Sequence, residues 1–150
     1  YKMKRIVLVG IDGTISKVGD RVKCLESEPK DWDSFYRRCG EDEPFLEVLR
    51  LVTKLREHYD IVFCTGRRQS CLHDTMVWLD SHGFRKPWAE TLLMRPDGDE
   101  RHDTVLKPEL LELNGIAPGD IAFVLEGRNS MVAKWREMGL TCLQVADGDF

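Results

Sequence analysis

Arg5-Ile6-Val7-Leu8-Val9-Gly10-Ile11-Asp12-Gly13-Thr14 is the stretch on which the fold turns. Ile6 to Val9 is apolar without a break, then the chain meets a glycine and an Asp-Gly turn. A strand with one wet face alternates apolar and polar residues, whereas an unbroken apolar run is covered on both faces, as in a parallel sheet. Ile61–Cys64, Ile121–Leu125 and Thr141–Val145 have the same character, and Thr91–Met94 is a weaker copy. Five strands are therefore predicted.

Helical patterns lie between them. Phe45, Val48, Leu49, Val52 and Leu55 recur at helical spacing behind Pro44, a residue suited to a first turn. Leu72 to Leu79 and Met131 to Met138 read as two further amphipathic helices, and Pro108 to Leu113 as a shorter one opened by Lys107. Strands alternating with helices predict an α/β fold built on a doubly wound parallel sheet.

The chain has 150 residues, 42% hydrophobic and 32% charged, enough for one continuous core and unlike a disordered composition. Its net charge of -4 excludes a strongly basic nucleic-acid coat but not a local basic patch. No apolar run approaches the ~20 residues of a membrane helix, and no signal peptide is visible, so a soluble cytoplasmic domain spanning 1–150 is expected. Met3 reads as a start, with Tyr1 and Lys2 ahead of it. The five cysteines form no CxxC pair, which argues against zinc or a disulfide framework. Cys64 and Cys142 are expected inside strands, and Cys24, Cys39 and Cys71 are taken as incidental. The four histidines lack metal-ligand spacing.

Residues 16–43 are polar and lack periodicity. A connection of this length between a strand and a helix is uncommon unless functional, so a flap or small lid is expected, too small for a cap domain. Its Trp32, Phe35 and Tyr36, and Trp88 further on, could pack a lid or stack a base. Trp78 and Trp135 belong to helical apolar faces and are expected in the core.

Ligands of open α/β sheets bind beyond the carboxyl ends of the strands. There the chain carries Gly10-Ile11-Asp12-Gly13-Thr14, then Thr65-Gly66-Arg67, Lys107, and Glu126-Gly127-Arg128. A hydroxyl, a lysine, carboxylates and arginines on one rim suit a phosphate and a magnesium ion. Each piece alone is also an ordinary turn or cap. Four of them in this order carry the functional reading.

With those motifs in view, the chain resembles the haloacid dehalogenase-like phosphatases, and within them the 3′-phosphatase domains of phage polynucleotide kinases. The likeness runs from Ile6 to Phe150 and includes Arg95-Pro96-Asp97-Gly98-Asp99-Glu100-Arg101-His102-Asp103 ahead of Lys107. The Gly-Asp-Phe end matches the family's own, which implies a complete domain in a phage-encoded protein of the host cytoplasm. The resemblance implies magnesium-dependent hydrolysis of a 3′-phosphate on a nucleic-acid end or nucleotide, through an aspartyl-phosphate. Asp12 would be general acid and base and a magnesium ligand. Thr65 and Lys107 would hold the phosphoryl group, Thr14 and Gly66 would line its site, and Arg67, Arg95, Arg101 and Arg128 would grip phosphates.

Two departures weigh against turnover. Gly10 stands where the family has its nucleophilic aspartate, and Glu126-Gly127 stands where it has two metal-binding aspartates. Glycine can neither attack phosphorus nor bind magnesium, and losing a nucleophile costs about 10⁴-fold or more. The chain is expected to be inactive or severely impaired, with weakened magnesium binding through Asp12, Glu126 and the Gly127 position. The alternatives are a non-catalytic module binding phosphorylated nucleic-acid ends, a phosphatase of free nucleotides or sugar phosphates, and a scaffold.

Overall fold

The computed structural model describes residues 4–84 and 91–150. Five parallel strands form one sheet: β1 (Ile6–Val9), β2 (Asp60–Arg68), β3 (Leu92–Arg95), β4 (Ile121–Glu126) and β5 (Cys142–Gln144), in the order β3-β2-β1-β4-β5. All four residues of β1 are buried because β1 is central and covered twice. Its pleat sends Val7 and Val9 to one face and Ile6 and Leu8 to the other. On the first face they meet Leu49 and Val52 of α2 (Leu46–Leu55) and Trp78 and Leu79 of α3 (Leu72–Ser81). On the second they meet Leu106, Leu110 and Leu111 of α4 (Asp103–Leu113) and Met131, Val132 and Trp135 of α5 (Asn129–Glu137). The fold is the doubly wound α/β sheet that the apolar runs predict. Trp78 and Trp135 lie in the core, whereas Trp88 lies outside the described residues.

Three expectations need correction. Lys107 does not open a helix, because α4 begins at Asp103 and Pro108 lies inside it. The His102 ring accepts the Thr104 N–H and so starts the helix a full turn before the proline. β2 runs on through Thr65 to Arg68, carrying the predicted loop Thr65-Gly66-Arg67 within the strand, where Arg68 pairs with Arg95 across an irregular register. Cys39 and Cys71 are not incidental; both are buried in the first-face core.

Residues 16–43 leave and return side by side. Lys17 N donates to Glu43 O at 2.7 Å and Phe45 N to Ile15 O at 2.8 Å, closing the excursion at its neck. Within it are a 3-10 turn at Gly19–Leu25, the short helix α1 (Trp32–Arg37) and a 3-10 turn at Cys39–Glu41. Asp31 caps α1 by accepting the Ser34 N–H. Phe35 and Tyr36 pack edge to face and Trp32 stacks on Tyr36, while Phe35 against Phe150 and the Tyr36 hydroxyl donating to Gly66 O join the segment to the body. Among the described residues, no helix is long and apolar enough to cross a membrane.

Candidate functional site

The strand order reverses direction at β1 and β4, and their carboxyl ends bring Gly10 and Glu126 together. Gly10 N donates to Leu125 O at 3.0 Å, which draws the two chain ends close. A Cβ built on Gly10 would overlap Glu126 Oε2 and lie 2.8 Å from Thr14 Oγ1. The Glu126 carboxylate therefore fills the space where a residue-10 side chain would stand. The extra methylene of glutamate supplies the reach.

That carboxylate is buried and fully engaged. Glu126 Oε1 accepts Lys107 Nζ at 3.0 Å and Trp135 Nε1 at 3.3 Å, and Oε2 accepts Thr14 Oγ1 at 3.3 Å and Gly127 N at 3.2 Å. Burial alone would lower the Lys107 pKa, but the Glu126 and Asp103 carboxylates outweigh it and push the ammonium upward. Lys107 is thus a fixed cation paired with Glu126.

Asp12 faces two guanidiniums. Arg67 Nη2 reaches Asp12 Oδ1 at 2.8 Å, its Nε reaches both carboxylate oxygens at 3.2 Å, and Arg21 Nη2 reaches Oδ1 at 2.9 Å. Burial raises the Asp12 pKa, yet Arg67 and then Arg21 overcome it and bring it to about 2. Asp42 completes the cluster, accepting Arg21 Nε at 2.8 Å and Arg21 Nη2 at 2.5 Å. Arg67 is 0% exposed and also donates to Thr75 Oγ1 at 3.0 Å. The buried Thr65 hydroxyl accepts Arg67 N at 3.1 Å.

A third cluster centres on Asp103, which binds Arg95 at 2.6 Å and Arg128 at 2.8 Å and lies 3.9 Å from Lys107. Its carboxylate fits because position 66 has no side chain; a Cβ there would overlap Asp103 Oδ1. Arg95 also donates to the carbonyls of Gly66, Asp99 and Arg101. Arg128 donates to Phe150 O at 2.7 Å, and Arg101 is exposed, pairing with Asp99 and Glu109.

Gly127 has a different constraint. A Cβ there would overlap the backbone carbonyl of Gly13, and a Cβ at Gly148 would overlap the Gly127 carbonyl. Three backbone segments cross here at a spacing that only glycine permits.

The residues present do not fit magnesium. A hard divalent cation takes oxygen ligands in near-octahedral array, and two of the expected carboxylates are absent at Gly10 and Gly127. Both oxygens of the remaining Glu126 accept protein hydrogen bonds, one from an ammonium that would repel a metal. Among the described residues no group of three or more His, Cys, Asp or Glu side chains could hold a metal ion.

The sequence positions Gly10, Asp12, Thr14, Thr65, Gly66, Arg67, Lys107, Glu126 and Gly127 do converge at one end of the sheet. Arg95 and Arg128 stand beside them and Arg101 farther out. Arg21, Asp42 and Asp103 complete the charge network without having been singled out. Asp103 carried a signal, four residues before Lys107 on one helix face; Arg21 and Asp42 sit in the aperiodic segment and carried none. Outside the network opens a groove of about 600 Å³ lined by Lys30, Trp32, Tyr36, Arg68, Arg95, Arg101, Asp103 and Arg128 with several acidic residues. Asp12, Thr65, Lys107 and Glu126 do not line it.

The family model described as "Polynucleotide kinase PNKP phosphatase domain" matches residues 4–150. A protein of the Autographa californica nuclear polyhedrosis virus, named "Putative bifunctional polynucleotide kinase/RNA ligase", is 28% identical over 139 residues, 91% of this chain and 18% of that protein. Two structures of a Pnkp1/Rnl/Hen1 complex, one titled an RNA repair complex, match with TM-scores of 0.78 and 0.79 at 26% and 27% identity. They cover 98% and 99% of this chain but 44% and 48% of the matched chains. The chain thus spans less than half of these relatives. A haloacid dehalogenase-like hydrolase from Streptococcus pneumoniae shares the fold, with a TM-score of 0.63 at 16% identity over 94% of this chain and 84% of that one.

Proposed function

The chain belongs to the family of polynucleotide kinase phosphatase domains, and on that premise we propose that it is a non-hydrolysing member that engages phosphorylated nucleic-acid ends. One observation carries this reading: Glu126, tied to Lys107, occupies the room of the missing residue-10 side chain. Phosphoryl transfer through an aspartyl-phosphate needs a carboxylate at that place, and none is free there. Asp12, ionised well below neutral pH, holds no proton to give a leaving group at pH 7. Magnesium has no part in the proposed function.

The groove supports the binding half of the proposal. Lys30, Arg68, Arg101 and Arg128 line the groove together with Trp32, and Lys30 and Arg128 lie over its ring, a mixture suited to phosphates beside a base. Its acidic residues offset this charge, so binding is weak and strongly salt-dependent, on the order of 10⁻⁵ M at physiological salt. Residues 16–43 act as the flap that forms one groove wall, and residues 1–150 act as one domain. A viral source accords with the viral relative.

The experiment pairs two readouts on one 3′-phosphorylated oligonucleotide. Phosphate release with magnesium is expected to be absent, and fluorescence anisotropy in EDTA is expected to show binding that weakens as salt rises. Sustained release would overturn the silent site. Absent binding at low salt would overturn the groove and favour a scaffold.

A further inference from the structure

Cys39 and Cys71 come from opposite sides of the flap's neck yet meet in the core. Cys39 begins the 3-10 turn that ends the aperiodic segment, and Cys71 ends the short 3-10 turn between β2 and α3. The packing that joins them is tight: a Cβ on Gly40 would lie 3.1 Å from the Asp74 Cβ. Arg67 Nη2 points at Cys39 O at 3.5 Å, and Cys71 Sγ donates to Tyr36 O at 3.9 Å. Both cysteines belong to one buried cluster, and each thiol is the leading influence on the other's titration. Cys39 is fully buried, and Cys71 retains 8% exposure.

We propose that Cys39 and Cys71 form an oxidisable dithiol that hydrogen peroxide converts to a disulfide, fastening the flap to the start of α3. This inference is independent of what the strand-end site does. Cys71 is the attacking sulfur, because it keeps 8% exposure while Cys39 is fully buried, and the nearby Arg67 guanidinium favours its thiolate. Its pairing with Cys39 lowers the Cys71 pKa, while that pairing and burial raise the Cys39 pKa.

The chemistry closes without another reactant. The Cys71 thiolate attacks one peroxide oxygen; an S–O bond forms, the O–O bond breaks, and hydroxide leaves and is protonated to water. Cys71 is now a sulfenic acid, oxidised by two electrons at the expense of the peroxide. Cys39 sulfur then attacks Cys71 sulfur; an S–S bond forms, the S–O bond breaks, and the departing hydroxide takes the Cys39 proton as a second water. Two thiols and one peroxide give one disulfide and two waters. The product would close a loop of about thirty residues and so restrict the unfolded chain.

The test treats the reduced, folded chain with hydrogen peroxide, quenches it, and maps disulfides by mass spectrometry without reductant. A Cys39–Cys71 linked peptide is expected, with a loss of about two mass units reversed by dithiothreitol. The oxidised protein should melt about 5 °C or more above the reduced one. Cys39→Ser should trap Cys71 as a sulfenic acid captured by dimedone, and Cys71→Ser should abolish both products. Oxidation of Cys71 to sulfinic acid with Cys39 still a free thiol would overturn the proposal, as would a disulfide involving Cys24, Cys64 or Cys142. Linkage appearing only after denaturant is added would overturn it equally. If Cys39→Ser fails to fold, the peptide map of the unaltered chain decides alone.

Discussion

Glu126 holds the Lys107 ammonium at 3.0 Å in a pit that neither residue shares with solvent. In a protein interior a charge of either sign needs its partner. The pair therefore supports the end of the sheet at the place where a phosphatase of this fold would do its chemistry.

Removing one partner exposes that dependence. Lys107→Met should destabilise the chain by about 3–5 kcal/mol, because Glu126 is left buried and uncompensated. Lys107→Met combined with Glu126→Gln should recover much of the loss, since no net charge then remains. Urea unfolding of the two variants measures the difference. Equal destabilisation by both would mean that volume rather than charge is what Lys107 supplies.

Restoring carboxylates should not restore catalysis by simple replacement. Gly10→Asp drives a second carboxylate into Glu126 and should cost about 1–3 kcal/mol. Shortening the neighbour with Glu126→Asp should relieve part of that cost, because the overlap is with a side-chain tip. Gly127→Asp meets the Gly13 backbone instead and should cost about 3 kcal/mol whatever stands at 126. Denaturant midpoints and 3′-phosphate release are the paired readouts. Substantial turnover in the Gly10→Asp single variant would show that Glu126 yields its place readily.

Asp12 sets an acid limb. Its pKa in the fold lies at about 2, below the ordinary 3.8, so the stability it contributes is complete above about pH 4 and is lost as pH falls through 2. The size is about 2 kcal/mol. Asp103 titrates in the same direction: burial opposes the shift, but Lys107, Arg128 and Arg95 lower its pKa. Asp42 works against both, since burial raises its pKa despite Arg21, so its protonation as pH falls favours the folded chain. Asp12→Asn should flatten the stability profile between pH 4 and 2 while lowering stability at pH 7. An unchanged acid limb in that variant would assign it to other carboxylates.

Magnesium should leave the melting temperature where it is. A ligand held only by the folded state raises it in proportion to ln(1 + [L]/Kd), so millimolar magnesium at an intact site would shift it visibly. Calorimetry in magnesium against EDTA is expected to superimpose. A rise of several degrees would show that Glu126 releases Lys107 for a metal.

Much of the fold is legible in the sequence alone. Unbroken apolar runs mark β1, β2 and β4, because a sheet covered twice leaves no polar position to fill, whereas the edge strand β5 carries an exposed Leu143 and Gln144. The strand ends then named most of the site. Pro108 misled, because its ring suggests a first turn and the His102 cap that starts α4 earlier leaves no periodic trace. Arg21 and Asp42 were illegible for a related reason: their pairing with Asp12 is made across a segment with no repeating pattern. The reach of Glu126 into the room at Gly10 was hidden too, since side-chain complementarity between β1 and β4 is a property of packing.

The crossing of Gly13, Gly127 and Gly148 has a bearing on the sequences that surround this one. Each single substitution that would return a carboxylate to position 10 or 127 leads to a less stable neighbour, and at 127 the obstacle is main chain. The two positions differ in kind: room at 10 opens with a rotation of the Glu126 side chain, and room at 127 only with a shift of the Gly13 peptide.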